Sequence, residues 1–129
     1  MALVVGLVLV GVIVATQLRA VLRAAHPRLR AAGVLVFSSP LLLVLFATAY
    51  LLMSRDRYDA FSETLTRVDA LYFATTVFAT VGFGDIVPVS QPARVLVLVQ
   101  ILVDLVYVGL LARALYEAAR IGADRRAGR

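Results

Sequence analysis

The sequence predicts an all-α integral membrane protein with three transmembrane helices per chain. The 129-residue chain is 62% hydrophobic, and its mean hydropathy of +0.94 is far above that of soluble domains. Long, predominantly apolar stretches alternate with short charged segments. Each stretch is long enough to cross the roughly 30 Å hydrocarbon core of a bilayer as a helix. Lipid is therefore the expected solvent for most of the chain.

The first two predicted spans are uninterrupted apolar stretches, over residues 2–18 and 33–53. Residues 1–31 are predicted to form the first, peripheral helix and a basic cytoplasmic loop. A cleaved secretory signal is disfavoured, because no basic segment precedes the first stretch and no small-x-small cleavage site with a soluble domain follows it. Pro40 lies inside the second span and should bend it, with the nearby serine hydroxyls able to bond the freed carbonyls.

The third predicted span, 95–111, lies within a helix expected over 92–115 and carries two polar residues, Gln100 and Asp104. Polar groups in a span are expensive in hydrocarbon and usually face protein or water. We therefore expect this helix at the interior of the assembly. Ser90 just before it suits an N-cap.

The charges predict the orientation of the chain. All 13 basic residues are arginine, against 8 acids, and they flank the apolar stretches, which indicates a lipid partner and not nucleic acid. Arginines concentrate in the loop after the first span and in a basic cytoplasmic tail, 116–129, whereas acids outnumber arginines in 54–91. The positive-inside rule then places the N-terminus outside and the C-terminus in the cytoplasm. The Arg, Ala, Val and Leu content favours a bacterial plasma membrane.

An apolar stretch between the second and third spans, 69–79, is too short to cross a membrane and must enter and return. It is followed by residues 80–85, TVGFGD, whose two glycines permit backbone angles closed to other residues. Non-helical backbone at membrane depth is tolerated only where it is buried in protein or lines a water-filled path. The residues alone therefore predict a permeation route at this loop.

This TVGFGD segment after a short helix resembles the selectivity filter of the potassium channel pore family, the two-helix pore-loop type, in its Phe variant. The resemblance implies a pore domain over 32–115, with outer helix 33–53, pore helix 69–79, filter 80–85 and inner helix 92–115. The additional first helix has no counterpart in that pore. In the family, filter carbonyls replace the hydration shell of K⁺. The ion would bind to the Thr80 hydroxyl and to the carbonyls of Thr80, Val81, Gly82 and Phe83, with Gly84 completing the filter.

The resemblance also implies a homotetramer, since each chain offers one filter strand and the family closes four around an axis. The expected function is passive, K⁺-selective conduction with K⁺ as permeant ion, no cofactor, and other copies of the chain and membrane lipid as partners. Alternatives are a non-selective monovalent cation channel and a non-conducting membrane interaction subunit. An enzyme is not expected, because the spans hold no catalytic triad, no HExxH motif and no cysteine.

Residues behind the filter depart from the family pattern. The family's aspartate at the position of Asp85 bonds to a Trp or Glu of the pore helix. Here Tyr72 and Phe73 stand at the aromatic positions and Thr76 at the position of the Glu. We therefore expect these residues to support the filter, and Asp85 to bond the hydroxyl of Tyr72 or Thr76.

Asp104 falls where many family members carry an inner-helix glycine, so a helix hinge is less expected here. Two hypotheses remain for its carboxylate. It could form a ring in the pore cavity that attracts K⁺ and internal polycations. Alternatively, it could be held by the hydroxyl of Thr75 or Thr76 in the pore helix.

Overall fold

The computed structural model describes residues 28–128, together with residues 8, 12, 16 and 19. Apart from residues 8, 12, 16 and 19, the predicted first span and most of the basic loop after it lie outside the described residues. From residue 28 to residue 128 the chain is helical except in its two connections, and an isolated bridge between Phe61 and Pro88 is the only β-type pairing in this part.

Three helices make up the described chain: α1 is Arg28–Asp56, α2 is Arg67–Phe78 and α3 is Gln91–Ala127. The described part of the chain is thus helical, and its three helices overlap the ranges predicted for the outer, short and inner elements. Within them, Ser38–Asp56 and Gln91–Glu117 are long and apolar enough to cross a bilayer. The helix α3 runs on through the segment predicted as a tail, because its Ala, Leu, Arg and Glu residues are strong helix formers.

The hydrogen bond that Pro40 cannot make in α1 is replaced by a serine hydroxyl, as expected. Pro40 has no N–H to donate to the carbonyl of Val36, and the Ser39 hydroxyl donates to that carbonyl at 2.8 Å. The Ser38 hydroxyl has a different partner, the Tyr107 hydroxyl of α3, at 2.6 Å. The proline region of α1 is therefore joined to α3.

A capping box starts α2. The N-cap Thr66 hydroxyl accepts from the Asp69 N–H at 3.2 Å, while the Asp69 carboxylate accepts from the Thr66 N–H at 2.9 Å. The Thr66 hydroxyl also donates to the Asp69 carboxylate at 2.6 Å, and this bond, together with the one from the Thr66 N–H, holds the pKa of Asp69 below its ordinary value. The helix thus begins two residues earlier than its apolar pattern suggested, because the cap lies outside the apolar run.

The core joins α2 to α1 through aromatic rings. Tyr50 of α1 lies with its ring centroid 5.1 Å from that of Phe73 in α2, in an edge-to-face arrangement. Phe61, from the connection between them, lies 5.7 Å from Tyr50 and 5.6 Å from Phe73. Because all three side chains are buried, this cluster sets the position of α2 relative to α1.

The two connections are clasped together at one end of the molecule. The Val89 N–H donates to the Ala60 carbonyl at 2.8 Å, and the Ser62 N–H donates to the Val87 carbonyl at 2.9 Å. The Ser62 hydroxyl in turn accepts from the Val87 N–H at 3.1 Å. The segment that contains α2 and residues 80–85 therefore leaves α1 and rejoins α3 at the same end.

Candidate functional site

The backbone of residues 80–85 has an alternating conformation. Thr80, Gly82 and Gly84 have positive φ values of 57°, 53° and 80°. Glycine adopts such angles readily, whereas a β-branched threonine does so only when its surroundings impose them. Every second residue is thus left-handed, which sets this segment apart from both a helix and a strand.

The N–H groups of this segment point back to the end of α2. The Thr76 carbonyl accepts from the N–H groups of both Val81, at 2.9 Å, and Gly82, at 3.2 Å. In a trans peptide the carbonyl points opposite to the N–H of the same unit. The carbonyls of Thr80 and Val81, which share their peptide units with these N–H groups, therefore face away from α2.

The side that these carbonyls face is open in the single chain. Residues 80–85 are all exposed. Among the described residues no group of three or more His, Cys, Asp or Glu side chains is placed to hold a metal ion. Backbone carbonyls in a row can replace the water around a monovalent cation, but one strand supplies only part of such a shell.

An apolar groove lies beside the loop, between α2 and residues 81–83. It is open to the outside of the chain, and its walls are almost entirely apolar. The residues that line it are Val68, Leu71, Tyr72, Thr75, Thr76, Ala79, Val81 and Phe83.

Asp85 is held by one side-chain hydroxyl. The Tyr72 hydroxyl donates to the Asp85 carboxylate at 2.8 Å, and the Tyr72 ring is stacked parallel to Phe83 with centroids 6.3 Å apart. The Thr76 hydroxyl instead donates to the Phe73 carbonyl at 2.9 Å. Of the two hydroxyls expected near Asp85, the structure pairs it with Tyr72 and not with Thr76, because a helical threonine reaches its own preceding turn first.

The bond between Tyr72 and Asp85 shifts both acidities. The hydroxyl of Tyr72 holds the pKa of Asp85 below its ordinary 3.8, and the same bond raises the pKa of Tyr72 above 10.0. The lowered pKa of Asp85 stabilises the folded loop above about pH 4, and this contribution is lost as pH falls through that pKa. The raised pKa of Tyr72 stabilises the folded loop below about pH 10, and this stabilisation is lost as pH rises through that raised pKa. The bond is therefore complete at neutral pH.

Removal of this hydroxyl tests its role. For the conduction that the sequence predicts, we expect Tyr72→Phe to make the ion current decline several-fold faster during sustained recording, because Asp85 loses its side-chain donor. Tyr58→Phe is the matched control, since Tyr58 is 82% exposed in the first connection. The measurement is the time constant of current loss in planar bilayers at pH 7. Equal time constants in both variants and the unmodified chain would contradict a supporting role for Tyr72.

Phe73 belongs to the buried aromatic cluster of the core. Its ring packs against Tyr50 and Phe61 in the buried cluster, on the face of α2 turned to α1. The expectation that Phe73 supports a filter stays a prediction, and the ring contacts of Phe73 are with the core. Successive residues of a helix point about 100° apart, so two adjacent aromatics are directed to different faces.

Asp104 is buried inside the single chain, with 4% of its surface exposed. One carboxylate oxygen accepts from the Gln100 amide nitrogen at 3.1 Å, and the Thr75 hydroxyl donates to the Leu71 carbonyl instead. The structure thus matches neither hypothesis for this residue. The carboxylate lies within the subunit and not on an open face, and its partner is on its own helix.

The sequence did not predict that Gln100 joins the three helices. It is fully buried and contacts Tyr50 of α1, the Ala74 carbonyl of α2 and Asp104. The signal was present in the sequence, because Gln100 and Asp104 are four residues apart and so share one face of α3.

Comparisons with known proteins agree with this geometry. A family model described as an ion channel matches residues 39–120, more than half of the chain. Over 80 residues the chain is 36% identical to Two-pore potassium channel 4 of Arabidopsis thaliana; the match covers 60% of this chain and 28% of that protein. The chain thus spans well under two thirds of that relative's length. The family match and the two apolar helices indicate an integral membrane protein with a transport role and not an enzyme. The chain belongs to the ion channel family.

Proposed function

We propose that the chain is a subunit of a K⁺-selective channel that conducts K⁺ passively through a homotetrameric pore. The observation that carries the proposal is the loop 80–85, where alternate residues are left-handed and the Thr80 and Val81 carbonyls face away from α2. A relative named as a potassium channel supports the choice of ion.

In this proposal α2 is a re-entrant pore helix and residues 80–85 are the selectivity filter. Dehydrated K⁺ is held by the Thr80 hydroxyl and by the carbonyls of residues 80–83. The C-terminal end of α2 directs its partial negative charge to the base of the filter, which favours a cation there. The clasp between the two connections keeps both ends of the loop at the outer mouth.

Two incomplete features of the single chain support the tetramer. One strand of carbonyls is an incomplete shell for an ion, and the apolar groove beside it presents Val81 and Phe83 to the outside. Copies of the chain around an axis complete the carbonyl rings, and a neighbouring copy covers the groove. The proposed orientation has the N-terminus outside and the C-terminus in the cytoplasm of a bacterial plasma membrane, with lipid around α1.

A bi-ionic reversal potential tests this function. The full chain is purified, reconstituted into liposomes and recorded with K⁺ on one side and Na⁺ on the other. We expect a reversal potential close to the K⁺ equilibrium value, because filters built from rings of backbone carbonyls conduct K⁺ in preference to Na⁺. A reversal near zero would indicate a non-selective monovalent cation channel, and no current under any gradient would indicate a non-conducting interaction subunit.

A further inference from the structure

A buried polar cluster behind the filter joins all three helices. Its members are Tyr50 of α1, the Ala74 carbonyl of α2, and Gln100 and Asp104 of α3. We propose that Gln100 is a positioning residue for the selectivity filter: it holds the C-terminal half of α2 in place through the Ala74 carbonyl. This inference rests on the proposed K⁺-channel function.

The Gln100 amide uses its donors and its acceptor within this cluster. Its nitrogen donates to the Ala74 carbonyl at 2.9 Å and to an Asp104 carboxylate oxygen at 3.1 Å. Its oxygen accepts from the Tyr50 hydroxyl. An amide has two N–H donors and one carbonyl, so each group has a partner.

The neighbours leave only one orientation for this amide. The Ala74 carbonyl and the Asp104 carboxylate oxygen are both acceptors, so they require the nitrogen on their side. A reversed amide would bring its oxygen against these two acceptor oxygens and lose both hydrogen bonds. Tyr50 and Asp104 thereby aim the Gln100 nitrogen at the backbone of α2.

The contact is close to the point where α2 holds the filter. Ala74 lies two residues before Thr76, whose carbonyl accepts from the N–H groups of Val81 and Gly82. Both residues belong to the same hydrogen-bonded helix, so a restraint on one restrains the other. The Gln100 contact therefore acts on the direction of the Thr80 and Val81 carbonyls.

Packing alone does not explain a glutamine here. Gln100 lies in the middle of a span, has no exposed surface, and could be replaced in volume by an apolar side chain. A polar group in such a place is costly unless it makes specific contacts. A carbonyl inside a helix already accepts a hydrogen bond from the N–H four residues later. The additional bond from Gln100 therefore serves to position α2 and is not needed to satisfy the carbonyl.

The test compares Gln100→Met with Ser38→Ala in the full chain. Gln100→Met keeps the volume and removes the bond to Ala74, whereas Ser38→Ala removes a buried bond between α1 and α3 that does not involve the α2 backbone. The readouts are the Na⁺-to-K⁺ permeability ratio from bi-ionic reversal potentials and the amount of assembled protein from size-exclusion chromatography.

We expect Gln100→Met to raise the permeability ratio roughly three- to tenfold, the effect of losing about one hydrogen bond. Tyr50→Phe and Asp104→Asn should raise it less, because each loosens the amide orientation and leaves Gln100 in place. Ser38→Ala should keep the ratio of the unmodified chain. A purely structural role would reduce only the amount of assembled protein.

Two results would overturn the inference while leaving the proposed function intact. In the first, the unmodified chain is K⁺-selective and the assembled Gln100→Met variant has the same permeability ratio. In the second, Gln100→Met does not assemble, and Tyr50→Phe and Asp104→Asn both have the permeability ratio of the unmodified chain. A reversal near zero in the unmodified chain would instead contradict the proposed function itself, and this inference with it.

Discussion

Gly82→Ala is expected to abolish K⁺-selective current. Gly82 has a φ of +53°, and a Cβ at this position would meet no atom within 4 Å, so the cost comes from the backbone and not from a clash. A left-handed conformation costs an L-residue about 1–2 kcal/mol, or about 4–8 kcal/mol over the four copies of the proposed tetramer. The loop 80–85 of the Gly82→Ala variant should therefore leave the filter conformation. The measurements are the bi-ionic reversal potential and the K⁺ flux from liposomes.

Gly109→Ala is the matched control for this substitution. Gly109 lies inside α3, and a Cβ there also meets no atom within 4 Å. Alanine is favoured over glycine in a helix interior by roughly 0.5–1 kcal/mol, so this variant should assemble and conduct. If Gly82→Ala conducted K⁺ with the selectivity of Gly109→Ala, the loop 80–85 would not be the selectivity filter.

Phe73→Ala is expected to cause the largest loss of stability. The ring of Phe73 is buried and lies 5.1 Å from Tyr50 and 5.6 Å from Phe61, so its removal opens a cavity between α1 and α2. Such truncations cost about 3–5 kcal/mol of unfolding free energy. We expect a clear fall in the thermal midpoint of the purified protein, measured by fluorescence-detected size exclusion after heating.

The comparison variants for Phe73 are Phe73→Leu and Leu41→Ala. Phe73→Leu fills most of the space and should lose less stability, and Leu41→Ala, at a position exposed on α1, should lose little. The channels of Phe73→Ala that remain assembled should keep the reversal potential of the unmodified chain, because the Gln100 bond to the Ala74 carbonyl still holds the C-terminal half of α2. A changed permeability ratio at an unchanged thermal midpoint would show that Phe73 supports the filter after all.

The helices and the loop 80–85 were predictable because their signals are local. An apolar stretch long enough to span forms a helix in lipid, and two alternate glycines weaken a helix and permit left-handed backbone angles. The ion channel family could likewise be anticipated from the residues of this loop. The helix ends were less predictable, since the cap of α2 and the extension of α3 depend on polar residues outside the apolar runs.

The partners of individual side chains became visible only when the helices were packed together. Tyr72 and Phe73 are adjacent in the chain, yet one contacts Asp85 and the other the core, because they point to different faces of α2. Asp104 bonds Gln100 and not the pore-helix threonines, whose hydroxyls donate to backbone carbonyls. Local sequence sets which segments enter the membrane, whereas helix rotation and packing set which polar groups meet, since those contacts join residues far apart in the chain.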